Sequence, residues 1–287
     1  MSRLAVFLLW LLRLLPFGAV AAIGEGLGAL LFWLIPQRRA VARINLARCF
    51  PQMPAAERER MARAAFRAFF RSFIDRGILW WSGKERVRRF VRLEGLEHLE
   101  ALKGKRVILL APHFVGLDAA VTRLAMDYLL AGMYSNQSDP YFNKVMDERR
   151  NRFGGFSFPR QAGLLASLRP MREGALYYYL PDLDMGPKRA VFVPFFGVPA
   201  ATVTGLTYIA HYMRAAVIPC VTRMLPGGGG YVVRFYPAWA GFPSGDEFAD
   251  ARRMLAFVEE RVLEMPEQYH WLHKRFKTRP PGEAGFY

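Results

Sequence analysis

The chain has 287 residues, of which 53% are hydrophobic, and 40 Lys+Arg against 24 Asp+Glu leave a net charge of +16. That apolar content excludes a disordered chain, and two cysteines exclude a disulfide scaffold or a Cys-based zinc finger. High apolar content together with high positive charge points to a membrane and its anionic lipids, although a basic balance alone suits nucleic acid equally.

The N-terminus carries most of the excess hydrophobicity. Leu4–Leu15 is apolar except for Arg13, and Pro16 interrupts it. Leu14–Ile35 carries one charge, Glu25, and would rise about 33 Å as a helix against a hydrocarbon core of about 30 Å. Arg38, Arg39, Arg43 and Arg48 follow, so the positive-inside rule puts the C-terminal flank in the cytoplasm. Residues 1–36 are thus expected to be a membrane anchor, as a span or as a surface or re-entrant helix. Two other readings remain. Ala19-Val20-Ala21 resembles a signal-peptide cleavage site, and Gly18, Gly24, Gly26 and Gly28 would let a buried helix pack closely. Gly24-Glu25-Gly26-Leu27-Gly28 is not a dinucleotide fingerprint, because its spacing is wrong and no strand precedes it.

Residues 37–89 read as a basic, amphipathic helical section. Within it Met53–Trp81 places Phe66, Phe69, Phe70, Phe73 and Ile74 at helical spacing, opposite a row of Arg60, Arg63, Arg67 and Arg71 expected in water or near phosphates. From Phe90 onward short β-type runs alternate with helical ones. Arg106–Ala111 is expected as a buried strand, Ala119–Leu130 and Asp139–Arg152 as helices, and Ala175–Leu180 as a strand. Val217–Met224 and Tyr231–Trp239 are expected as a hairpin joined through Gly227–Gly230, and Asp246–Met265 as a final helix. The alternation predicts an α/β fold over residues 90–287, with a mixed, largely parallel sheet flanked by helices.

The sharpest local motif is Pro112-His113-Phe114-Val115-Gly116-Leu117-Asp118. A buried strand ends there, at the edge where open α/β sheets place ligands. Five residues on one helix lie about 140° apart, so His113 and Asp118 pair only if His113 sits on the turn and Asp118 in the first helical turn. Asp118 is then expected to accept the Nδ1 proton of His113, freeing Nε2 to take a proton from a hydroxyl. Taken alone, this spacing fits a structural histidine as readily. No Gly-x-Ser-x-Gly elbow is present, Cys49 and Cys220 lack a catalytic setting, and His270 with His273 lacks a third ligand, so no metal is expected.

Further blocks recur in a fixed order. After His113-x4-Asp118 come Tyr179-Leu180-Pro181-Asp182-Leu183-Asp184-Met185-Gly186-Pro187-Lys188, Val191-Phe192-Val193-Pro194-Phe195-Phe196-Gly197, Ala201-Thr202-Val203-Thr204-Gly205 and the tail Pro266–Pro280 containing Trp271-Leu272-His273-Lys274-Arg275-Phe276-Lys277-Thr278-Arg279. In these the whole chain resembles the bacterial lipid A biosynthesis acyltransferases, late lauroyl/myristoyl transferases of the lysophospholipid acyltransferase-like superfamily. The resemblance implies transfer of a fatty acyl chain, lauroyl or myristoyl, from acyl carrier protein to a hydroxyl of a 3-hydroxyacyl chain on a Kdo-lipid A precursor. It implies action at the cytoplasmic face of the inner membrane among its phospholipids, with no cofactor and no nucleic acid. It makes His113 the general base and Asp118 its partner, where many members carry Glu. It places Arg150 (or Arg152), Asp182, Asp184 and Lys188 on the substrate. Lys188, Arg189, Lys274, Arg275, Lys277 and Arg279 are candidates for phosphate or for acidic carrier protein, each with ordinary surface charge as the alternative. Backbone N–H groups at the His113 turn are candidates for the oxyanion. Two competing functions are an acyltransferase for a lysophospholipid or aminolipid, and a non-enzymatic basic protein binding a membrane surface or nucleic acid.

Overall fold

The computed structural model describes residues 2–287. Two apolar helices open the chain, α1 (Ser2–Leu12) and α2 (Phe17–Leu34), followed by α3 (Pro36–Cys49), α4 (Ala55–Ile74), α5 (Arg76–Trp81) and α6 (Lys84–Phe90). The α/β part then runs β1 (Val91–Glu94), α7 (Leu96–Glu100), β2 (Val107–Leu110), α8 (Leu117–Leu124), β3 (Leu130–Tyr134), α9 (Pro140–Arg150), β4 (Phe156–Pro159), α10 (Leu164–Leu168) and β5 (Leu176–Tyr179). It closes with β6 (Ala190–Phe195), β7 (Val198–Val203), α11 (Gly205–Met213), β8 (Ala216–Met224), β9 (Tyr231–Phe235) and α12 (Glu247–Glu264).

Seven strands form one sheet in the order β1-β9-β8-β2-β5-β3-β4. All neighbours are parallel except β8 and β9, which pair antiparallel as the expected hairpin. The mixed, largely parallel sheet predicted from the alternation is therefore present. β2 lies centrally, between β8 and β5, and all four of its residues are buried. An unbroken Val-Ile-Leu-Leu run is what a strand covered on both faces needs. Its side chains alternate: Ile108 and Leu110 join one hydrophobic core, Val107 and Leu109 the other. β6 and β7 form a separate antiparallel hairpin.

The helices before the sheet belong to both cores. Phe32, Leu46 and Phe66 pack with Ile108, Tyr177 and Trp271, while Val20, Ile78 and Trp80 pack with Leu109, Ala120 and Tyr231. α2 is long and apolar enough to cross a membrane, yet one face of it docks on α4. A Cβ at Gly24 would stand 2.5 Å from Arg71 Cα, and one at Gly28 2.6 Å from Arg67 Cα. Those glycines serve close helix packing, while Ile23, Leu30, Trp33 and Leu34 on the same helix stay exposed.

Several expectations need correction. The arginine row of α4 is not uniformly in water: Arg71 is 2% exposed and pairs with Glu25 at 3.1 Å. Ala119–Leu130 is not one helix, because α8 stops at Leu124 and β3 begins at Leu130. An Ala- and Leu-rich stretch reads as helix by periodicity, but here it spans a turn. β4 and the β6–β7 hairpin went unassigned. In the hairpin only Val193 and Phe195 of β6 and the consecutive Ala200–Thr202 of β7 are buried, so no sustained period-two pattern marks it.

Candidate active site

β2 and β5 run side by side and parallel, and their C-terminal ends deliver two residues to one point. After β2, Pro112–Gly116 forms a turn that α8 continues. Gly116 occupies the left-handed region at φ +86°, and a Cβ there would stand 2.5 Å from the Tyr231 ring. Both facts demand glycine. The C-terminal tail clamps the turn: Val115 N–H donates to the Gln268 carbonyl at 2.8 Å and His270 N–H to the His113 carbonyl at 3.0 Å. After β5, Leu180-Pro181 leads to Asp182, which is fully buried.

Asp182 holds His113 at two points. Its Oδ1 lies 2.7 Å from His113 Nδ1, and its Oδ2 accepts the His113 backbone N–H at 3.0 Å. Burial pushes the Asp182 carboxyl up, but His113, through charge and hydrogen bonds, and Arg275 outweigh it and hold the carboxyl below its ordinary range. An ionised carboxylate only accepts, so Nδ1 carries the proton and Nε2 presents its lone pair. Nε2 has no hydrogen-bond partner among the described residues, and the side chain is 21% exposed. His270 stacks parallel to the His113 ring at 6.5 Å, with Phe69 stacked on it at 5.1 Å. Burial, with the neighbouring His113 and His273, pushes His270 down to about 3, so it is a neutral ring at neutral pH.

The expected His113–Asp118 pair is not formed. Asp118 does sit in the first turn of α8, but its two oxygens are taken by Arg76 Nε and Arg150 Nε, each at 2.6 Å. Burial would raise the Asp118 carboxyl; the charges of Arg150 and Arg76 and their hydrogen bonds prevail and hold it well below the carboxylate range. Spacing put a carboxylate one helical turn from the histidine, but the neighbouring strand supplied a nearer one. Of the two arginines, Arg150, preferred from sequence, is the one that pairs with Asp118. Arg152 instead donates to the Leu79 and Ser82 carbonyls at the end of α5.

Asp184 is not directed at an open site. It is 2% exposed and accepts from Thr278 N–H at 2.6 Å, Thr278 Oγ1 at 2.8 Å and Gly186 N–H at 2.9 Å, fastening the tail to the β5 loop. Lys188 is exposed and makes no hydrogen bond or ion pair among the described residues. Arg275 is buried, donating to the Ala201 carbonyl and to Thr202 Oγ1, and Arg279 donates to the Pro199 carbonyl, so neither is surface charge. Three of the turn's N–H groups are committed, His113 to Asp182, Phe114 to Pro112 and Val115 to Gln268, while Gly116 N–H makes no hydrogen bond among the described residues. Cys49 and Cys220 are buried and burial pushes both thiols up, which leaves them unreactive.

Two functional candidates escaped the sequence reading. Arg76 sits at a helix break, between Asp75 and Gly77, where no periodicity singles it out. His270 stands out in the sequence only through its spacing to His273, which points to a metal ligand rather than to a neighbour of His113.

The model describing the bacterial lipid A biosynthesis acyltransferases matches residues 2–278. The chain belongs to that family. It is 31% identical to the lipid A biosynthesis lauroyltransferase of Escherichia coli K12, over all of this chain and 94% of that enzyme. It is 34% identical to the lipid A biosynthesis myristoyltransferase of the same organism, over 86% of this chain and 77% of that one. A lipid A biosynthesis acyltransferase of Haemophilus influenzae is 33% identical, over 98% and 88% of the two chains. The 1-acyl-sn-glycerophosphate acyltransferase PlsC of Thermotoga maritima is a structural neighbour with a TM-score of 0.40 and 15% identity, covering 86% of this chain and 98% of its own. As a member of the lipid A acyltransferase family the protein is an acyltransferase, and its apolar N-terminal helix fits association with a membrane.

Proposed function

We propose that this acyltransferase moves a fatty acyl chain, lauroyl or myristoyl, from acyl carrier protein to a hydroxyl of a 3-hydroxyacyl chain on a Kdo-lipid A precursor, at the cytoplasmic face of the inner membrane. His113 is the general base and Asp182 its carboxylate partner. The carrying observation is the two-point hold of Asp182 on His113, which fixes the tautomer and leaves Nε2 open at the sheet edge.

The reaction needs no covalent enzyme intermediate. Nε2 takes the proton as the acceptor oxygen bonds to the thioester carbonyl carbon. The carbonyl oxygen becomes an oxyanion. As it collapses the C–S bond breaks, and the departing thiolate takes the proton from the imidazolium, regenerating the base. Asp182 steadies that imidazolium while His270, held neutral, adds no second positive charge beside it. The exposed apolar side chains of α1 and α2, among them Leu4, Phe7, Leu8, Leu30 and Trp33, support placement at a bilayer.

The test is mass spectrometry of lipid A from cells with and without the gene, paired with transfer assays on purified full-length protein. Loss of one acyl chain from lipid A supports the reading. An unchanged lipid A with a change in a lysophospholipid or aminolipid overturns the acceptor. His113→Ala should lower kcat by about 10²–10⁴, and an undiminished kcat removes the base.

A further inference from the structure

Arg76 opens α5 and Arg150 closes α9, and each meets Asp118 through Nε alone, one per carboxylate oxygen. Their terminal nitrogens make no hydrogen bond among the described residues, and none is sealed from solvent. The two side chains are 21% and 20% exposed over a carboxylate that is 6% exposed. One buried negative charge therefore holds two positive ones with their donor-rich ends outward, leaving a net positive charge. Two open guanidinium ends suit a tetrahedral oxyanion with several acceptor oxygens, which is a phosphate.

The surroundings say whose phosphate. Apolar α1 lies across both helices that carry the arginines. The Leu9 carbonyl of α1 presses against Gly77, next to Arg76, and Arg3 of α1 lies 5.5 Å over the Tyr141 ring of α9. α1 also leaves Leu4, Phe7 and Leu8 exposed. An apolar helix beside a cationic pair matches a bilayer surface, with aliphatic groups among acyl chains and guanidiniums at headgroup level. His113 precedes Asp118 on the same strand-to-helix segment, at most about 18 Å away along the chain.

We propose that Arg76 and Arg150, spread on the two oxygens of Asp118, form the binding site for a phosphate group of the lipid acceptor, with Asp118 as its positioning residue. This rests on the acyl-transfer reading above and assigns the acceptor a second point of attachment away from the reacting hydroxyl.

The test uses full-length enzyme in mixed micelles. Arg76→Gln should raise KM for a phosphorylated acceptor by roughly tenfold or more, leaving kcat within about threefold and the KM of the acyl donor unchanged. Arg76→Lys keeps the charge but serves either Asp118 or the phosphate, so it should fold as wild type and still raise the acceptor KM. With an acceptor stripped of phosphate, wild type and both variants should converge. Independently of turnover, inorganic pyrophosphate should show ³¹P line broadening with wild type and little with Arg76→Gln. An active wild type whose acceptor KM is unmoved in both variants sinks the site and leaves the acyl-transfer reading standing. A KM change confined to the donor, or equal ³¹P broadening, sinks it too. Broadening lost in the variants of a protein inert toward lipid A precursor would support the anion site and remove the acyl-transfer reading.

Discussion

His113 keeps one tautomer because a buried acceptor faces Nδ1 and a second oxygen of the same carboxylate grips its backbone. Removing the charge and one of the two acceptor oxygens without changing shape is therefore informative. Asp182→Asn should cut kcat by about 10²–10⁴ while far-UV circular dichroism stays native; a kcat within twofold of wild type would dissociate the carboxylate from the base. Asp75 shows how a carboxylate behaves when burial wins. It is fully buried and accepts from the Tyr231 hydroxyl at 2.7 Å, while Arg71 Nε stands 3.7 Å away. Burial pushes it from the ordinary 3.8 to about 6, against the lowering pull of Tyr231 and Arg71. The folded value exceeds the unfolded one, so the native state binds more protons in that window and stability falls as pH rises through it. Asp118 and Asp182 have the opposite sign: their folded values lie below the unfolded ones, so their contribution is present above about pH 4 and fades only below it. Asp75→Asn should accordingly gain melting temperature relative to wild type between about pH 4 and 6, and a difference flat with pH would contradict the assignment.

At the level of elements, two glycines carry contacts that no other residue permits. Gly116 caps α8 with positive φ and lies against the Tyr231 ring, at the joint that aims His113. Gly116→Ala should cost about 1–3 kcal/mol and reduce activity beyond its effect on folding, as read from denaturant midpoints beside kcat. Gly28 sets the approach of α2 to α4. Gly28→Val should cost about 1–3 kcal/mol by overpacking and expose α2 to protease, while an unaltered melting curve and cleavage pattern would show that the helices are not docked in solution. The candidate site residues sit at ends of elements: His113 after β2, Asp182 after β5, Arg76 at the start of α5, Arg150 at the end of α9. Patterning locates such elements by their interiors, so β2, β5, α9 and the β8–β9 hairpin were legible as apolar or amphipathic runs. β4 is as short as β2 and β5 but none of its residues is buried, so it shows no apolar run.

Across the whole molecule, the tail and the N-terminal helices close the architecture around the sheet edge. Asn45 of α3 donates to the Trp271 and His273 carbonyls, Arg38 to the Leu272 carbonyl, and Asp184 holds Thr278. The segment Gln268–His270 is thereby fixed beside the His113 turn, which links residues more than 150 positions apart. The sequence by itself determined the α/β class, the apolar N-terminus, the family motifs and His113 as the candidate base, because buried runs, helical spacing and clustered motif residues are local properties of the chain. Which carboxylate meets His113 was decided only by tertiary structure. The pairing of Asp182 with His113 depends on β2 and β5 lying side by side, and the pairing of Asp118 with Arg76 and Arg150 depends on three helices meeting. Neither adjacency is encoded in the distance between residues along the chain.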